Sequence, residues 1–344
     1  MSQPKSILVT GGCGFIGSNL AAHYLDKGYS VSVLDNFWRV GSRQNLEWLK
    51  ERAEKSKGTF QFYEVDLRER SSVQNLLSQL KPEAVLHFAG QVAATVSIQD
   101  PYVDFSINAE GTFYLLDAVR ESCPEALFVF ASTNKVYGDL SVFGVVEEET
   151  RYTCPEHQRG FNEKTPLDFY SPYGCSKGAA DQYVRDFGRI YNMHTVVLRL
   201  STIYGGRQFA TYDQGWIGWF VEQVIRQERF SISGNGKQVR DILHAHDLIA
   251  LIDSLMKKAT TLSGEIFNIG GGIDNSLSIR ELISYLEKTL GCKADSYHID
   301  ARKGDQPFYV SNIQKAQDKL EWVPKVDKWD GVNKMIEWVN SGIK

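Results

Sequence analysis

The sequence predicts an α/β fold: a Rossmann-type doubly wound parallel sheet with a smaller C-terminal substrate-binding lobe. Three observations carry this. The N-terminal half alternates short apolar runs with helical patterns, as right-handed βαβ crossovers require. The first apolar run ends in a glycine-rich turn that opens a helix. Past residue 204 the composition shifts to short elements broken by Gly and Asn, as in YGGRQ (204–208), SGNGKQ (233–238) and NIGGG (268–272).

Taken in order, SILVT (6–10) reads as a buried parallel strand. A helical pattern follows over 15–25 and stops near Gly28. SVSVLD (30–35), TFQFYEVD (59–66) and EAVLHFAG (83–90) read as the next three strands. A helix is predicted over 108–121 and a fifth strand, ALFVFAS, over 126–132. Residues 138–170 carry Pro155, Gly160 and Pro166 and read as irregular. A long helix over 172–192 and the strand HTVVLRL (194–200) follow. The expected domains are 1–203, a dinucleotide-binding unit, and 204–344, mostly a second lobe. A strand and a helix from about 240–270 are expected to pack back on the main sheet.

The chain has 344 residues, 42% of them hydrophobic, enough for a sizeable core. Lys and Arg total 38 against 42 Asp and Glu, a net charge of −4, which argues against nucleic-acid binding through bulk positive charge. Five scattered cysteines without a Cys-x-x-Cys pair argue against a disulfide scaffold and against a Cys-ligated metal site; no metal is expected. No run of 18 apolar residues marks a membrane span, and the polar N-terminus does not read as a signal peptide. A cytoplasmic protein with no membrane partner is the expectation.

The first strand runs into Thr10-Gly11-Gly12-Cys13-Gly14-Phe15-Ile16-Gly17. Gly11, Gly14 and Gly17 divide three tasks: a tight turn, close backbone approach to a pyrophosphate, and helix–strand packing. The anion then sits at a helix N-terminus, beside Phe15 and Ile16, where free N–H groups and the helix dipole favour negative charge. The second strand ends at Asp35, 18 residues past Gly17, followed by Asn36. A carboxylate there binds both hydroxyls of an adenosine ribose and repels a 2′-phosphate, so NAD is preferred to NADP.

The Gly-x-x-Gly-x-x-Gly spacing resembles the extended branch of the short-chain dehydrogenase/reductase superfamily, the NAD-dependent epimerase/dehydratase family. Other stretches agree. Asp66-Leu67 resemble the pair that meets the adenine. His87-Phe88-Ala89-Gly90, with Gln91, resemble the loop beneath the cofactor. Asn108 with Gly111-Thr112 resembles the branch's helix start, and Asn108 is counted with the cofactor residues.

Tyr173 and Lys177 form a Tyr-x-x-x-Lys pair. An i, i+4 spacing places both side chains on one helix face. A tyrosine with an unperturbed pKa of about 10 is a poor base at neutral pH. A nearby ammonium and a positive nicotinamide stabilise the phenolate and lower that value. The resemblance implies a third member at the end of the fifth strand. Thr133 matches the branch's catalytic Ser/Thr, and Ser132 is a close competitor.

The resemblance also sorts the branch. In nucleotide-sugar 4,6-dehydratases the two positions after Thr133 are Asp and Glu, an acid/base pair that eliminates water. Here they are Asn134 and Lys135, which disfavours that activity. Asn134 and Lys135 are expected on sugar hydroxyls, with a solvent-facing Lys135 as the alternative. Arg240 after the glycine turn 233–236, and Arg302 and Asp305 of an Arg-x-Gly-Asp turn, resemble a nucleoside-diphosphate grip: the arginines on the diphosphate, Asp305 on the ribose. Thr202 stands where the branch often has Asn. Segments 132–139, 173–183 and 205–220 resemble the nucleotide-sugar 2-epimerases of this branch, with a CDP-linked hexose the favoured substrate and NAD the cofactor. Arg207 and Gln214 of the third segment are expected at the substrate. The resemblance implies a homodimer or homotetramer. A UDP-hexose 4-epimerase, a simple dehydrogenase and a non-catalytic NAD-binding regulator are the rival readings.

Overall fold

The computed structural model describes residues 5–302 and 304–342. Its centre is a seven-stranded parallel sheet. Across the sheet the strands run Glu265–Ile269, Thr195–Leu200, Leu127–Thr133, Ala84–His87, Ser6–Thr10, Ser30–Asp35 and Thr59–Glu64. The inner strands are apolar on both faces because helices cover both faces. Ile7 and Val9 enter one core cluster, while Leu8 enters the other.

The strand order reverses direction at Ser6–Thr10. The next strand in the chain lies on one side of it and Ala84–His87 on the other. The two loops leaving these strands diverge there and open a crevice at the carboxyl ends, where α/β sheets bind ligands. Helix Phe15–Asp26 starts at this crevice.

The long helix is Pro172–Tyr191, close to the expected span. Ser171 caps it by accepting from Gly174 N at 3.2 Å, and Pro172 suits its first turn. Asn192 ends it in the left-handed region (φ 57°). The helix expected over 108–121 differs at its start. A π-helical stretch, Ser106–Glu110, precedes the α-helix Gly111–Ser122. Asn108 lies in this wider turn and meets a neighbouring loop, as shown below. The segment 138–170 is mostly irregular but holds a small hairpin, Val146–Glu147 with Tyr152–Thr153.

Beyond residue 204 the chain serves two bodies. Strand Glu265–Ile269 is the seventh strand of the main sheet, and helix Ala245–Lys257 packs on helix Phe15–Asp26. The remaining elements build the lobe. Strand Val239–His244 pairs with Thr202–Tyr204, Ser276–Ser278 and Phe308–Tyr309. Helices Trp216–Arg226, Ile279–Leu290 and Lys328–Asn340 close over its own core of Phe220, Val224, Leu282, Leu286 and Val332. Among the described residues no helix is long and apolar enough to cross a membrane.

Candidate active site

The crevice is lined first by the glycine turn. Gly11 has φ +64°, and a Cβ there would sit 2.7 Å from the backbone of Ala89, so this position turns the chain beside the facing loop. A Cβ on Gly17 would lie 2.2 Å from the Gly11 carbonyl, which lets the helix pack on the turn. Gly14 is the helix N-cap, without a side-chain cap bond, and the first turn holds no acidic residue. The helix end therefore presents backbone donors and positive dipole to the cavity that Gly14, Phe15 and Ile16 line. These residues fit a dinucleotide pyrophosphate.

Asp35 is buried at the next strand end and lines the same cavity. It accepts from Cys13 N at 3.0 Å and Phe37 N at 2.8 Å. Burial raises its carboxyl above the ordinary value, and these backbone bonds oppose the rise. Asp66 accepts from Arg68 and from Asn36 Nδ2 (2.9 Å); chiefly through the Arg68 bond it is held down at about 2. Leu67, Ala89, Gly90 and Gln91 complete this wall.

Asn108 is a correction. Expected at the cofactor, it is buried behind the wall, where its Oδ1 accepts from Gln91 N and its Nδ2 donates to Gln91 O, both at 2.9 Å. It fixes the loop rather than lining the cavity.

The catalytic group assembles where strand Leu127–Thr133 meets helix Pro172–Tyr191. Thr133, Tyr173 and Lys177 line one cavity, which joins the first at Ala89, Gly90, Gln208 and Gln214. The Thr133 hydroxyl donates to Asn134 Oδ1 at 3.3 Å and accepts from Lys135 N at 3.2 Å, and it lies near enough to the Tyr173 phenol to pull its pKa down. Ser132 Oγ is turned elsewhere, donating to Asp181 Oδ2 at 2.7 Å. Desolvation pushes Tyr173 up to about 12, opposed by the Thr133 hydroxyl and reinforced by Asp104. The chain alone thus does not lower this phenol. Lys177 is 4% exposed, with its ammonium 4.2 Å from the centroid of the Phe130 ring. Burial pushes it down to about 7, while Asp104 and Asp181 pull it up.

Asp104 escaped the sequence reading. It is fully buried, accepts from Ser176 Oγ, from Gln91 Nε2 (2.7 Å) and from Asn108 Nδ2 (3.2 Å), and so ties the cofactor loop to the catalytic helix. Asp181 was also missed. Arg199 Nε and Nη2 grip it, both at 2.9 Å, and Arg199 Nη1 donates to Tyr137 Oη at 2.9 Å. One signal was available: an arginine inside the apolar run 194–200 must find a buried acid.

The substrate-side cavity holds Asn134, Lys135, Thr202, Gln214, Arg240, Arg302 and Asp305 together. Several are tied to one another rather than open. Asn134 Nδ2, expected on sugar hydroxyls, donates to Gln306 Oε1 at 2.8 Å. Lys135 does not face solvent: its Nζ lies 3.1 Å from Asp305 Oδ1, which also accepts from Arg240 Nη2 at 2.7 Å. Burial would raise the Asp305 carboxyl, but these two cations outweigh it and hold it at about 2. Thr202 Oγ1 accepts from Trp216 Nε1 at 3.2 Å. Arg302 lies over the Tyr212 ring at 4.8 Å; its neighbour Lys303 falls outside the described residues.

Arg207 is a second correction. It lines the dinucleotide cavity, not the substrate cavity, with its guanidinium 4.2 Å from the Trp48 ring centroid. Its left-handed backbone (φ 69°) directs the side chain there.

A parallel sheet with a glycine turn at its switch point, and a Thr–Tyr–Lys set facing the joined cavities, define a dinucleotide-dependent enzyme of the extended short-chain dehydrogenase/reductase class. The family described as GDP-mannose 4,6 dehydratase matches residues 8–335, and the chain belongs to that family. It is 47% identical over 340 residues to CDP-paratose 2-epimerase of Salmonella typhi, covering 97% of this chain and 99% of that one. Among solved structures it resembles UDP-glucose 4-epimerase of Thermotoga maritima with UDP-glucose (TM-score 0.83, 28% identity, 98% and 99% coverage). It also resembles the Thermus thermophilus UDP-glucose 4-epimerase complex with NAD (TM-score 0.79, 29% identity, 97% and 98% coverage).

Proposed function

We propose that the chain is an NAD-dependent nucleotide-sugar epimerase that inverts carbon 2 of a CDP-linked hexose through a transient 2-keto sugar. The observation that carries this reading is the 47% identity to CDP-paratose 2-epimerase along nearly the whole chain. The positions used for water elimination in the dehydratases support it, since Asn134 and Lys135 are bound to Gln306 and Asp305.

In this reading the glycine turn and first helix hold the pyrophosphate of NAD, Asp35 the adenosine ribose and Lys177 the nicotinamide ribose. NAD held there would supply a reversible acceptor for the carbon-2 hydride, so that no net oxidation would result. Tyr173 as phenolate removes the proton of the carbon-2 hydroxyl, and Thr133 holds the same oxygen. The nicotinamide charge would add, beside the Lys177 ammonium, the stabilisation that the phenol lacks in the chain alone. Arg240 and Arg302 anchor the diphosphate while the ketone turns its other face. Tyr173 then returns the proton. The active form is a homodimer or homotetramer.

The test is a small panel of CDP-, UDP- and GDP-hexoses followed by proton NMR. Inversion at carbon 2 of a CDP-hexose is expected. Inversion at carbon 4 with carbon 2 untouched overturns the reading in favour of a UDP-hexose 4-epimerase.

A further inference from the structure

Residues 205–214 leave the lobe and run along the mouth of the dinucleotide cavity. Their start is held by the other half of the molecule. Asn19 Nδ2 donates to Gly206 O at 3.0 Å and Asn45 Nδ2 to Arg207 O at 3.4 Å. The Arg207 guanidinium lies 4.2 Å from Trp48, on helix Ser42–Lys55, and 5.4 Å from Trp338, on helix Lys328–Asn340. Cation–π contacts to both bodies lock it. Arg207 has a left-handed backbone (φ 69°), which persists only where its surroundings hold it.

The middle of the segment is seated as closely. The Phe209 ring rests on Gly41, where a Cβ would lie 2.1 Å from the ring, so only glycine admits it. Arg39 Nη2 donates to Thr211 Oγ1 at 3.3 Å, and Thr211 donates to Asp213 Oδ1 at 2.6 Å. Gln208, Phe209 and Gln214 thereby share one cavity with Gly14, Asp35 and Asn36.

We propose that residues 205–214 are a retention strap, a second wall of the dinucleotide cavity that keeps the cofactor from exchanging between turnovers. The inference rests on the epimerase reading, in which the cofactor is regenerated at each cycle and has no need to leave. The strap's polar composition follows from this role. Its groups find partners on the dinucleotide half, and release of the adenosine end requires those contacts to open.

The test measures retention, not turnover. The purified chain is loaded with isotope-labelled NAD, desalted, and chased with unlabelled NAD. The wild type should keep close to one NAD per chain and exchange slowly. Phe209→Ala and Thr211→Ala should exchange about tenfold faster or more, with thermal melts close to wild type. A folded Phe209→Ala that exchanges at the wild-type rate overturns the strap alone. If Phe209→Ala does not fold, Thr211→Ala decides, because it removes only the hydroxyl that links Arg39 to Asp213. A wild-type chain that binds no NAD overturns the strap and the epimerase reading together, whereas absence of carbon-2 inversion in an NAD-retaining chain overturns that reading only.

Discussion

Ser132 Oγ donates to Asp181 Oδ2 at 2.7 Å, and the carboxylate it meets is already gripped by Arg199. Successive residues of a strand point to opposite faces, so Thr133 is the hydroxyl left for the cleft and for Tyr173. Thr133→Val should lower kcat by roughly 10²–10³-fold with stability little changed. Ser132→Ala should do the reverse, losing about 1–3 kcal/mol through a buried bond to a charged group while kcat stays within a few fold. Urea titrations paired with product NMR separate the two.

Tyr173 supplies the only proton-accepting oxygen assigned to the sugar. Tyr173→Phe should fold, keep its NAD and lose about 10²–10⁴-fold in turnover. NAD content by chromatography after acid release, measured beside product formation, checks both halves. Undiminished turnover would remove Tyr173 from the mechanism.

Lys177 is a charge kept where stability does not want it. Its ammonium is pushed down to about 7 by burial, from an ordinary 10.5. Between those values the unfolded chain binds more protons than the folded one, so stability from this group rises with pH. Below about pH 7 the full cost remains. Lys177→Met should therefore raise the Tm most below pH 7, with the gain shrinking towards pH 10. Asp104→Asn removes one of the two carboxylates that oppose burial, and should lower the Lys177 midpoint further. Carbon-13 NMR of labelled lysine side chains, assigned with Lys177→Met, reads that midpoint directly.

Asp305 bridges Lys135 and Arg240 and is held at about 2, against an ordinary 3.8. A depressed carboxyl stabilises the fold above its unfolded value and loses that contribution as pH falls through the folded one. Asp305→Asn should cost about 1–2 kcal/mol at pH 7, and the deficit should narrow as pH drops from about 4 towards 2. Denaturation midpoints across that range test the sign.

The amino-acid sequence by itself determined the parts whose geometry is local. Gly11, Gly14 and Gly17 span one turn and the helix start that follows it, and Tyr173 and Lys177 sit one helical turn apart; backbone sterics and the 3.6-residue repeat place them without help from distant segments. The parallel sheet was legible for the same reason, since each buried strand is a short apolar run. Only the tertiary structure decided where buried polar groups find partners. Asp104 meets Ser176 across 72 residues, Asn134 meets Gln306 across 172, and Asn108 turns from the cavity to hold Gln91. Arg207 moved from the expected substrate site to a pair of tryptophans brought in by two separate helices. A buried donor or charge must be satisfied, but which of many distant groups satisfies it depends on how the helices pack, and no local spacing records that.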